Sequence, residues 1–87
     1  MKKVKIYTLS YCPYCKRAKA ILRDFGVNFE EIDVTNFSED KIGEIARELG
    51  ISDITFPQLI IGETNIGGCD DLEKIVAEQG LTRLLED

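Results

Sequence analysis

The chain contains no histidine, which removes the usual general base near neutral pH and the commonest metal ligand. Serine-histidine and cysteine-histidine nucleophile pairs are excluded with it. Positive charge is also scarce: eleven lysines and arginines face sixteen acids, a formal charge of -5, so an extended basic patch for a phosphate backbone is missing and nucleic acid is not an expected partner. The longest uncharged apolar run, "FPQLIIG", falls far short of the roughly 20 residues a membrane span needs. The opening "MKKVKIYTLS" has neither the apolar region nor the small-residue cleavage site of a signal peptide. A soluble, cytoplasmic protein with no membrane partner is expected. With two prolines, seven glycines and no low-complexity tract there is no linker, and 87 residues suffice for one compact domain with a modest core, expected over residues 1–87.

Three cysteines stand out against this background, and an odd number cannot all pair internally. A reducing compartment disfavours permanent disulfides in any case, so the thiols are expected to serve chemistry rather than stability.

Hydrophobic spacing orders the rest of the chain. Residues 3–8, "KVKIYT", alternate as a strand does. From Pro13 to Phe25 the apolar residues Ala18, Ile21, Leu22 and Phe25 recur at helical spacing, with Pro13 suited to the first helical position and Gly26 to a left-handed stop. "NFEEIDVT" then reads as a second strand, parallel to the first. Ser38 is placed to cap a second helix, with Ile42, Ile45, Ala46 and Leu49 on one core-facing side and Gly50 closing it. "FPQLIIGETNIGG" reads as an antiparallel hairpin turning at Gly62 and ending at Gly67 and Gly68. Asp70 is expected to cap a third helix, with Glu73 as capping-box partner and Gly80 as stop. The tail "LTRLLED" supplies one more turn that packs Leu81, Leu84 and Leu85. The order β-α-β-α-β-β-α describes an α/β protein with a mixed four-stranded sheet.

The stretch "YCPYCKRAK" carries the chemistry. Cys12 falls at about the N-cap of the first helix and Cys15 one turn further in, close enough for their sulfurs to bond. Unpaired N–H groups of the first turn and the helix dipole favour a thiolate at Cys12, and Lys16, Arg17 and Lys19 are expected to add positive charge nearby. Cys12, at the loop edge, is the expected attacking nucleophile, and Cys15, shielded inside the helix, the expected resolving thiol. Pro13 stiffens the turn, and Tyr14 is expected to project outward over the sulfur or a substrate. The competing readings are weaker. A zinc site wants four ligands, whereas the chain offers one C-x-x-C pair, a distant Cys69 and no histidine, so no metal is expected. Two inert buried cysteines remain an alternative, though one at odds with their position where a strand meets a helix.

Three segments together resemble the dithiol glutaredoxins: "YCPYCKRAKAIL" is similar to that family's C-P-Y-C motif and helix, "TFPQLIIG" to its T-x-P-Q strand, and "NIGGCDDL" to its G-G-C-D-D-L turn. The resemblance spans nearly the whole chain. It implies a thioredoxin-like fold and an oxidoreductase that reduces protein disulfides and glutathione mixed disulfides, with glutathione as co-substrate and no tightly bound cofactor. It further implies electron donation to reductive enzymes such as ribonucleotide reductase, and the small acidic surface fits a monomer. Residue by residue, Cys12 would take glutathione and Cys15 would resolve. Pro57 would be a cis-proline that leaves the Phe56 backbone free to pair with the cysteine unit of glutathione, with Thr55 holding that loop and Phe56 and Tyr14 forming apolar walls. Gly68 and Cys69 would let backbone N–H groups meet the γ-glutamyl carboxylate, and Asp70 would meet the α-ammonium. Cys69 itself is expected to be a bystander thiol. Two positions depart from the family pattern: Leu9 stands where many members have lysine, and Ile42, beside Lys41, stands where Arg or Gln is common. Two other readings stay open, a redoxin served by thioredoxin reductase and a dimeric carrier of a glutathione-ligated 2Fe-2S cluster.

Overall fold

The structure, a computed structural model, describes residues 1–86. Strand β1 (Val4–Thr8) turns Val4, Ile6 and Thr8 inward and Lys5 outward, the period of two that the sequence shows. Helix α1 (Pro13–Asp24) buries Cys15, Ala18 and Leu22 on one stripe. Phe25 drops out of that stripe, because it sits at the C-cap with its ring half exposed. The chain then reverses at Gly26, where φ is +69°.

Strand β2 (Glu30–Asp33) runs parallel to β1, with Tyr7 opposite Ile32. Helix α2 (Glu39–Leu49) opens as expected on Ser38, whose Oγ accepts the Lys41 N–H at 3.1 Å, and closes on a left-handed Gly50. Strands β3 (Gln58–Ile61) and β4 (Thr64–Gly67) form the antiparallel hairpin, and β3 also pairs antiparallel with β1. The sheet order is β2-β1-β3-β4. All four residues of β3 are buried, which requires cover on both faces of the sheet. Val4, Ile6, Ala18, Leu22, Leu59 and Leu72 are central to the main apolar cluster, between the sheet and the helices α1 and α3 (Cys69–Ala77). A short α4 (Leu81–Leu85) closes it with Leu81 and Leu85 buried and Leu84 packed alongside. Asp87, the last residue of the tail read as a helical turn, lies outside the described residues. This arrangement of a mixed four-stranded sheet with flanking helices is the thioredoxin-like fold.

The third helix corrects one expectation. It begins at Cys69, with Gly68 as N-cap, so Asp70 lies inside the first turn and does not cap it. The returning carboxylate is Asp71, whose Oδ2 accepts the Gly68 N–H at 2.9 Å. Glu73 is turned elsewhere, toward Arg17 on α1.

Candidate active site

Cys12 occupies the N-cap of α1 in extended conformation, with φ -99° and ψ 110°. Its N–H donates to the Leu9 carbonyl at 3.3 Å, and its own carbonyl accepts the Lys16 N–H at 3.2 Å. The loop is thus fixed on both sides of the sulfur. The N–H of Cys15 donates to Cys12 Sγ at 3.1 Å, as an N-cap hydroxyl would be served in an ordinary helix. A polarised donor held at that distance stabilises negative charge on sulfur.

Cys15 has the opposite environment. It is 1% exposed, and its thiol is pushed from its ordinary 9.0 up to about 12, first by burial and then by the hydrogen bond it shares with Cys12. Backbone hydrogen bonding at Leu9 and the charge of Lys19 pull the other way. At neutral pH Cys15 is therefore a proton-bearing thiol beside a sulfur that accepts hydrogen bonds.

On the other side, Cys12 Sγ lies 3.7 Å from the carbonyl oxygen of Phe56, which precedes a cis peptide bond to Pro57. Phe56 lies outside the β3 ladder, and its N–H has no backbone partner among the described residues. From here a groove of about 370 Å³ runs to the start of α3, a size suited to a small peptide. Tyr14, Thr55, Phe56, Pro57, Gly68, Cys69 and Asp70 all line it. Tyr14 projects outward, more than half exposed, as its place on the helix dictates. Because Gly68 has no side chain, the first-turn N–H groups of Cys69 and Asp70 keep no acceptor among the described residues, and a helix N-terminus in that state attracts an anion. The exposed Asp70 carboxylate stands beside them. A larger cleft of about 540 Å³ lies between Met1–Lys5 and Gly26–Glu30, at the opposite end of β1, and holds no thiol.

Three groove residues went unassigned in the sequence. Gln58 is buried, and its Nε2 donates to the Thr55 carbonyl at 2.8 Å, stapling the loop that presents Phe56. A polar residue directly after the proline of "TFPQ" is the signal that marks it. Gly67 has φ +114°, and a Cβ there would collide with Asp71 Oδ2. Asp71, capping Gly68, is legible only once the helix start is placed one residue before Asp70.

The basic residues of α1 are arranged differently from expectation. Arg17 pairs with Glu73 of α3, and Lys19 pairs with Glu31 of β2 at 2.8 Å. Carboxylates from other elements therefore claim two of the three charges assigned to Cys12, and of those three Lys16 is the one with no ion pair among the described residues. Cys69 is buried, and its thiol, 3.8 Å from Glu73 Oε1, is raised by burial first and then by the charge of Glu73.

A glutaredoxin family model matches residues 4–66. The chain belongs to the glutaredoxin family. A glutaredoxin from Pseudomonas aeruginosa is 46% identical over 85 residues, covering 98% of this chain and 98% of the relative. The solution structure of a glutaredoxin from Brucella melitensis superposes with a TM-score of 0.82 at 44% identity, covering 98% of this chain and 89% of that one. A crystal structure of a buckwheat glutaredoxin-glutathione complex gives a TM-score of 0.83 at 25% identity, covering 97% of this chain and 76% of that one. As a glutaredoxin the protein is a thiol oxidoreductase, and the dithiol pair lies at the point where its first strand meets its first helix. No helix among the described residues is long and apolar enough to cross a membrane.

Proposed function

We propose that the protein uses glutathione as co-substrate to reduce glutathione mixed disulfides and protein disulfides, with Cys12 as nucleophile and Cys15 as resolving thiol. The observation that carries this reading is the position of Cys12 Sγ between the Cys15 N–H and the Phe56 carbonyl, at the head of a groove lined by Tyr14, Pro57 and the start of α3. In the first step the Cys12 thiolate attacks the glutathionyl sulfur of a mixed disulfide. The Cys12-glutathione bond forms as the substrate's own thiolate leaves. A second glutathione thiolate then attacks the bound glutathionyl sulfur, releasing glutathione disulfide and regenerating Cys12.

The groove supplies what such a ligand needs. The free Phe56 backbone edge suits the peptide unit around the ligand's cysteine. The first-turn N–H groups of Cys69 and Asp70 suit the γ-glutamyl carboxylate, and the Asp70 carboxylate suits the α-ammonium. That a buckwheat relative has been solved as a glutaredoxin-glutathione complex supports the reading. The same reading has the protein act as a monomer in a reducing cytoplasm, on glutathionylated and disulfide-bearing proteins, and pass electrons to reductive enzymes.

The test is a coupled NADPH assay with glutathione and glutathione reductase, run beside one with thioredoxin reductase alone. The glutathione system is expected to sustain turnover. Cys12→Ser abolishes it for every substrate, whereas Cys15→Ser keeps mixed-disulfide turnover and loses protein-disulfide reduction. Equal loss in both variants, or turnover driven only by thioredoxin reductase, overturns the assignment.

A further inference from the structure

Reduction of a protein disulfide requires Cys15 to lose its proton inside the protein, and no histidine is available to help. Lys19 follows Cys15 by four residues on α1, the spacing that puts two side chains on one helix face. It is not an ordinary surface lysine. Its side chain is 18% exposed, and its Nζ is held 2.8 Å from Glu31 Oε2. The same oxygen accepts the hydroxyl of Thr8 at 2.7 Å, and Thr8 is buried at the end of β1, just before the loop that carries Cys12. Residues of α1, β1 and β2 thus meet to fix one ammonium on the Cys15 side of the helix. Of the charges acting on the Cys15 thiol, Cys12 opposes ionisation and Lys19 promotes it. Once Cys12 is tied up in a mixed disulfide its charge is gone, and Lys19 remains.

We propose that Lys19, fixed by Glu31 and Thr8, is the positioning residue of the resolving step, its ammonium stabilising the Cys15 thiolate that must form before the mixed disulfide is broken. The inference rests on the roles proposed above for Cys12 and Cys15. In this step the Cys15 thiol gives its proton to solvent and its thiolate attacks Cys12 Sγ. The Cys12–Cys15 bond forms while the bond from Cys12 to the substrate sulfur breaks. The substrate departs as a thiolate that takes up a proton from solvent, so the cysteine pair is oxidised and the substrate sulfur is reduced. Lys19 contributes its field and exchanges neither proton nor electron.

The experiment measures single-turnover release of substrate thiol from a mixed disulfide preformed on Cys12, in Lys19→Gln and Glu31→Gln proteins. A thiol whose pKa rises by one unit loses about tenfold in thiolate and regains about threefold in nucleophilicity, so a net slowing of about threefold per unit is expected for Lys19→Gln. Glu31→Gln removes the carboxylate that holds the ammonium in place, so release slows in the same direction as in Lys19→Gln, by a smaller factor. In a Cys15→Ser background, glutathione mixed-disulfide turnover bypasses the resolving step, and Lys19→Gln changes it by less than about twofold. The proposal is overturned if Lys19→Gln leaves release unaltered, if it slows Cys15-independent turnover equally, or if Glu31→Gln leaves release as fast as in the wild type. Residual activity in Cys12→Ser would instead count against the reading of the site as a whole.

Discussion

The backbone N–H of Cys15 points at the sulfur of Cys12 from 3.1 Å away, so the second cysteine of the pair also serves as the donor that caps the first. Two thiols one helical turn apart thereby acquire opposite character. Cys12 is partly exposed, accepts the Cys15 N–H and faces the Phe56 carbonyl, whereas Cys15 is buried and keeps its proton. The relationship does not depend on imidazole, which agrees with a chain that has none.

Alkylation should therefore be selective. At pH 7 the reduced protein is expected to take one iodoacetamide adduct rapidly, on Cys12, while Cys15 and Cys69, both buried and both raised, react far more slowly. Intact-mass kinetics followed by peptide mapping reads this directly. Two adducts forming at similar rates would show that the thiols are not differentiated.

Stability should fall on the alkaline side. The Cys15 thiol ionises near its ordinary 9.0 in the unfolded chain and at about 12 in the folded one, so between these values the unfolded state has released a proton that the folded state retains. The contribution is complete below pH 9 and is lost as pH rises toward 12. Urea midpoints measured from pH 8 to pH 10.5 are expected to decline in the wild type, and the decline should be shallower in Cys15→Ser.

The adjacent acids Asp70 and Asp71 should separate cleanly. Asp71 accepts the Gly68 N–H, so Asp71→Ala is expected to cost about 1 kcal/mol of folding stability, the usual worth of a helix cap. Asp70 makes no such bond and is exposed, so Asp70→Ala leaves the denaturation midpoint nearly in place and raises KM for glutathione. The reverse pattern would mean that the helix start and the ligand contacts have been exchanged.

Gly67→Ala is expected to be more costly than Gly26→Ala. Both positions have positive φ, but a methyl at Gly26 meets open space, whereas one at Gly67 meets the Asp71 carboxylate that holds the turn. Conformational strain alone is worth about 1–2 kcal/mol at either site, and Gly67→Ala should add the loss of the cap to it. Chemical denaturation of the two variants under identical conditions makes the comparison, and equal losses would indicate that Asp71 simply swings away.

Much of this was legible in the amino-acid order because the deciding interactions span four residues or fewer. The Cys12 cap, Ser38 with Lys41, the left-handed stop at Gly50 and the alternation of β1 are local events, readable from spacing alone. The start of α3 is local as well, yet it lies two residues before the one the sequence suggests: Gly68 offers no capping side chain, and the choice between neighbouring acids is made by the backbone at Gly67, where φ is +114°. What the folded chain alone decided is the partner of each charge. Arg17 finds Glu73 from 56 residues away, and Lys19 finds Glu31 from 12, because sheet order and helix packing bring those carboxylates to α1. The meeting of Cys12 with Phe56, 44 residues on, has the same origin. Spacing can nominate a nucleophile, but Coulomb energies and hydrogen bonds depend on distances through space, and those exist only once strands and helices have taken their places.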